Sequence, residues 1–117
     1  MQVSGDKYSV TYNSETATLT CSGVLDLRGK ESYKDISDLF NTAANRSPSP
    51  ERIILDVRGL EFLNSSGITT IGGFAIRIRN KGGILLLIQC AERHSWQSRS
   101  MSSLLRLIPE CLELTFE

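Results

Sequence analysis

No sign of charge prevails in this chain. Its 117 residues hold 13 Lys and Arg against 13 Asp and Glu, a formal net charge of +0. Such balance, with no basic run, leaves no electrostatic footprint for a nucleic acid. Long apolar runs are missing as well. The longest is Ile84 to Ile88, far short of the roughly 20 residues that cross a bilayer, so direct membrane insertion is not expected. The opening MQVSGDKYSV lacks the charged-then-apolar pattern of a signal peptide, and a cytoplasmic protein is expected. Histidine occurs once and cysteine three times, at Cys21, Cys90 and Cys111. None of the cysteines forms a CxxC pair, which excludes an ordinary zinc site. Each sits in or beside a predicted strand and reads as a buried free thiol. Paired carboxylates and a GxxxxGK[ST] phosphate loop are absent too. No metal, cofactor or enzymatic activity is expected.

What remains is globular. Hydrophobic residues make up 40% and charged residues 22%, a balance that supports a core. The length suits one domain, residues 1–117. Tyr8–Tyr12 and Thr16–Ser22 alternate β-formers with polar residues around an Asn13–Glu15 turn, a hairpin pattern. Ser32 followed by Asp35 suggests a capping box. Tyr33, Ile36, Leu39, Phe40 and Ala43 then recur at helical spacing, ending before the prolines of Asn45–Glu51. Arg52–Val57 and Ile84–Ile88 are continuous apolar runs, read as strands buried on both faces. A helix from about Ser66 to Asn80 lies between them, stopped by Gly82 and Gly83. Ser95–Leu107 forms a further helix ended by Pro109, and Leu112–Phe116 a last strand. Arg93, His94 and Trp96 open that helix, with Trp96 covering the edge of the core. The order β-β-α-β-α-β-α-β predicts an α/β domain: a mixed four- to five-stranded sheet with helices mainly on one face.

The junction FLNSSGITTIGGF, Phe62 to Phe74, carries the functional signal. One of Asn64, Ser65 or Ser66 caps the helix. At 100° per residue, Ile68, Ile71, Ala75 and Ile78 form its core face. Ser66, Thr69, Gly73, Ile76 and Asn80 form the outer face, with Gly72 near its edge. That outer strip has no charge, two glycines that each cost about 1 kcal/mol in a helix, and an exposed isoleucine. It suits docking of another protein. A serine nucleophile would need a base, and His94 is the sole imidazole; NSSG is also not the GxSxG elbow. Phosphate on a serine at a helix N-terminus, by contrast, meets free N–H groups and a favourable dipole. It would bring about −2 of charge to a docking face.

ILDVRGLEFLNSSGITTIGGF resembles the signature of STAS domains, the fold of sulfate transporters and anti-sigma-factor antagonists. GVLDL, Gly23 to Leu27, resembles the family's G-x-hydrophobic-D pattern, and the element order fits over nearly the whole chain. The resemblance implies that Ser65 is a phosphate acceptor. It implies a serine protein kinase of the anti-sigma type as docking partner and a PP2C-type phosphatase that reverses the mark. It also implies that Asp26 lies near the serine and assists recognition. Asn64 stands where the family usually has Asp, able to cap but without charge. The expected partner surface is Asp26, Asn64, Ser66, Thr69, Gly72, Gly73 and Ile76, in a phosphorylation-controlled binding switch. The alternative is a STAS subunit of a transporter or lipid-trafficking assembly that carries no phosphate.

Overall fold

The computed structural model describes residues 1–117. Six strands form one sheet in sequential order: β1 (Gln2–Ser4), β2 (Tyr8–Asn13), β3 (Thr18–Leu25), β4 (Arg52–Leu63), β5 (Leu85–Cys90) and β6 (Leu112–Phe116). The sheet is therefore wider than the four to five strands expected, because Gln2–Ser4 adds an antiparallel edge to β2. β2 and β3 are antiparallel, and β3 to β6 run parallel. The helices are α1 (Gly29–Ser32), α2 (Lys34–Ala44), α3 (Ser65–Lys81) and α4 (Ser95–Leu107).

Each parallel crossover steps one strand in the same direction. With the common right-handed sense, that places α2, α3 and α4 on one face of the sheet. The strands follow suit. In β4, Ile53, Leu55 and Val57 are buried while Ile54, Asp56 and Arg58 are only half-buried. In β5, Leu86, Ile88 and Cys90 are buried and Leu85, Leu87 and Gln89 half-buried. Neither apolar run is thus buried on both faces, contrary to expectation. An apolar run reports β propensity and burial, but not whether helices cover the second face.

The core joins Leu19, Leu55 and Ile88 of the sheet to Phe40 of α2, Phe74 and Ile78 of α3 and Met101 of α4. The Phe40 and Phe74 rings meet with centroids 4.9 Å apart, within the favourable range for aromatic pairs. Asn13 accepts from the Glu15 N–H at 3.0 Å in the hairpin turn, as short polar side chains do. The expected capping box fails: Ser32 ends α1, and α2 starts after Tyr33 with no side-chain cap bond. Gly82 closes α3 at φ 76°, with its N–H on the Ile78 carbonyl, a conformation glycine adopts without a Cβ penalty. No helix is long and apolar enough to cross a membrane.

Candidate functional site

β4 runs past the last residue it pairs with β5, Asp56, and hands the chain to α3 through Asn64. Asn64 is the N-cap: its Oδ1 accepts from the Gly67 N–H at 3.0 Å. The same oxygen accepts from the Tyr33 hydroxyl at 2.6 Å. Its amide nitrogen donates to the Leu27 carbonyl at 2.7 Å and to Asp26 Oδ1 at 3.2 Å. All four hydrogen-bonding positions of this side chain are used. They clasp the β3–α1 loop, α1–α2 and α3 together, and the Asn64 N–H adds a bond to the Leu25 carbonyl at 3.1 Å. Burial foremost, aided by the nearby Asp26 carboxylate, pushes the Tyr33 phenol above its ordinary pKa, so it stays a donor. An aspartate at position 64 could not donate to either oxygen. The departure from the STAS pattern is thus built into the local hydrogen bonding.

Gly67 is the other requirement of the clasp. A β carbon there would lie 2.2 Å from Leu63 Cδ1 and 2.8 Å from the Tyr33 hydroxyl. Both neighbours are buried, so the third residue of the SSG run is glycine to let Tyr33 reach the cap.

Above the clasp, α1–α2 and α3 enclose a groove of about 460 Å³. Ser65, Ser66, Thr69 and Gly73 line one wall, and Lys30, Tyr33 and Ser37 line the other. Ser65 is exposed in the first turn of α3. Hydrogen bonds at that turn run through Asn64 and through the Ser66 carbonyl, which accepts from Thr70 Oγ1 at 2.9 Å. The Ser65 hydroxyl is left to solvent. Arg77 closes the far end, donating to Ser37 Oγ at 3.3 Å.

The expected partner surface is only partly contiguous. Ser66, Thr69 and Gly73 share the groove, and Asp26 and Asn64 meet in the clasp beside it. Ile76 is 40% exposed but does not line the groove. Gly72 turns towards α4 and away from the groove: a β carbon there would make ordinary contact with Leu104 at 3.5 Å. The core face also differs, with Phe74 buried and Ile68 half-buried. A wheel drawn from one helix cannot show that α4 and α2 cover its flanks.

Tyr33, Lys30 and Ser37 had no signal in the sequence as parts of this site, because another element brings them there. Arg77 stands one helical turn beyond Gly73 and could have been found by spacing. Gln97 was missed although it falls on the apolar stripe with Met101, Leu104 and Ile108. It is fully buried. Its Nε2 donates to the Val57 and Leu60 carbonyls at 2.7 and 2.8 Å, and its Oε1 accepts from the Ala91 N–H at 2.8 Å. Trp96 packs on the core as expected and donates from Nε1 to the Glu61 carbonyl at 2.9 Å. Together these two residues hold the end of β4 that pairs with β3 but extends beyond β5, and that leads into Ser65.

His94 caps α4 and is not among the groove residues. Cys21 and Cys90 are buried free thiols as expected, while free Cys111 is only half-buried. Burial, with a smaller contribution from Asp56, pushes Cys21 up to about 12 and Cys90 to about 11. Thiols held so high stay protonated and unreactive.

The sequence matches the family model of the STAS domain over residues 9–108. No curated protein is matched by the sequence. Among solved structures, the fold is similar to a chain from the crystal structure of the diguanylate cyclase SiaD in complex with its activator SiaC from Pseudomonas aeruginosa. That likeness has a TM-score of 0.71 and 12% identity, covering 100% of this chain and 99% of that one. It is similar also to SiaC of Pseudomonas aeruginosa, at TM-score 0.59 and 14% identity over 99% of this chain and 93% of that one. Apo-SiaC from the same organism aligns at TM-score 0.59 and 15% identity over 99% of this chain and 94% of that one. At such identities the likeness shows the fold alone.

Proposed function

Since the chain belongs to the STAS domain family, we propose that it is an anti-sigma-factor-antagonist-like regulator, switched by phosphorylation of Ser65. In the unmodified state its groove and clasp dock a serine protein kinase of the anti-sigma type. The kinase transfers the γ-phosphoryl group of ATP to Ser65 Oγ, the hydroxyl proton leaving to a base on the kinase. A PP2C-type phosphatase hydrolyses the ester and restores the hydroxyl. One observation carries this reading: Ser65 is exposed in the first turn of α3, its hydroxyl free, at the mouth of a groove that α3 walls with Ser66, Thr69 and Gly73. The fold is shared with SiaC, described as the activator of a diguanylate cyclase in complex with it. That supports regulation of an enzyme by docking rather than by chemistry on this chain.

Phosphosite mapping by mass spectrometry on the protein from its own cells tests the switch. Phosphate on Ser65 that varies with growth condition is the expected result. No phosphate on any residue, under any condition, overturns it. The protein would then be a constitutive subunit of a transporter or lipid-trafficking assembly, a role that an uncharged Asn64 committed to the clasp also permits.

The two glycines separate docking from packing. A β carbon at Gly73 meets nothing nearer than Arg77 Nη1 at 3.9 Å. Gly73→Leu should therefore keep the melting temperature and weaken the kinase complex more than about tenfold, or about 1.4 kcal/mol. Gly72→Leu should instead drive its side chain into Leu104 and lower stability by about 1–3 kcal/mol. Thermal unfolding and a binding titration read the two effects; equal affinity for Gly73→Leu and the native chain would remove the groove from the docking surface.

A further inference from the structure

The groove holds two cations, Lys30 and Arg77, and no carboxylate lines it. Neither cation belongs to any of the ion pairs of the fold, although acids equal bases in number. The positive character of the groove is thus local. Lys30 is positioned from two sides. Asn64, the residue before Ser65, holds the Leu27 carbonyl at 2.7 Å, and α1 packs against α3. The short path from Leu27 to Lys30 therefore begins beside the serine. Arg77 is different: it sits about 18 Å further along α3, at 1.5 Å per residue. Its guanidinium is engaged by Ser37.

We propose that Lys30 is an intramolecular receptor for a phosphate on Ser65. Its ammonium swings across the mouth of the groove and pairs with the phosphate, closing the end where the partner enters. This rests on Ser65 as the acceptor. It changes how the mark acts: the added charge is partly neutralised on the chain itself, and the partner is excluded by occlusion as well as by repulsion. A lysine suits this task, because its charge rides on a flexible stem with three donors.

The test installs phosphoserine at position 65 during synthesis of the full chain, so no kinase is needed. A missing kinase in the cell would leave its result unaffected. The second ionisation of the phosphate, ordinarily near 6, is followed by ³¹P NMR titration. A cation near the phosphate favours the dianion, so removing it must raise the midpoint. Lys30→Ala should raise the midpoint by about 0.5 of a pH unit, the effect of one partly screened charge at close range. Arg77→Ala should leave it in place. An unmoved midpoint in Lys30→Ala overturns the proposal. So does an equal shift in both variants, which would make the general field of the groove responsible.

Discussion

Gln97→Leu should lower the stability of the fold by about 3–6 kcal/mol, seen as an early urea midpoint. The side chains are similar in volume, so the loss does not come from a cavity. It comes from three backbone groups that bond to Gln97: the Val57 and Leu60 carbonyls and the Ala91 N–H. Each buried polar group left without a partner costs about 1–3 kcal/mol. A domain of this size has only about 5–15 kcal/mol in total. Gln97→Glu offers a sharper reading. A carboxylate can still accept from Ala91 but cannot donate to either carbonyl, and it places a buried charge against their oxygens. Its deficit should shrink in acid, where the carboxyl gains a proton and one donor returns. A Gln97→Leu midpoint equal to the native one would show that other groups hold the end of β4. If the effect is as large as expected, it reaches the site as well, because this end of β4 carries the chain into Asn64 and Ser65.

The second large effect is at the clasp. Asn64→Asp restores the acid usual in the family, yet it should destabilise this chain by about 2–4 kcal/mol near neutral pH. The bonds from Tyr33 and Gly67 survive, since a carboxylate accepts both. The bonds to the Leu27 carbonyl and to Asp26 do not. In their place an anion faces a carbonyl oxygen and a second carboxylate, each within about one hydrogen-bond length, and like charges so close raise each other's pKa. Adding Asp26→Asn should recover part of the loss by returning a donor across that contact. The Leu27 carbonyl stays unpaired, so recovery is incomplete. A double-mutant cycle on unfolding free energies isolates the coupling. No coupling between positions 26 and 64 would mean that their contact is not part of the clasp. The physical reading of Asn64 is therefore a swap within a network: one acid kept at Asp26, the other replaced by an amide that can hold it.

Some of this was legible in residue order alone. Alternation marked the β2–β3 hairpin, apolar runs marked β4 and β5, and Gly82 marked the end of α3, because these signals depend on neighbours within a few residues. The NSSG junction likewise showed a capped helix start with a serine to spare, and the STAS resemblance assigned it a role. Residue order could not show that Gln89 and Asp56 look onto an open sheet face, that Gly72 faces Leu104 of α4, or that Tyr33 finishes the cap of a helix beginning at Ser65. Those facts depend on which element covers which face, and covering is set by the hand of the crossovers and by packing between helices distant in sequence. Gln97 is the plainest case. Read along the chain, it is a polar residue on an apolar stripe; only the end of β4 beyond its pairing with β5, brought over it by the fold, supplies the carbonyls that make its burial favourable. Local order determined most of the elements and the capped helix start beside Ser65. The tertiary arrangement decided the groove, the clasp and the lysine that faces it, because hydrogen bonds and charges act across space rather than along sequence.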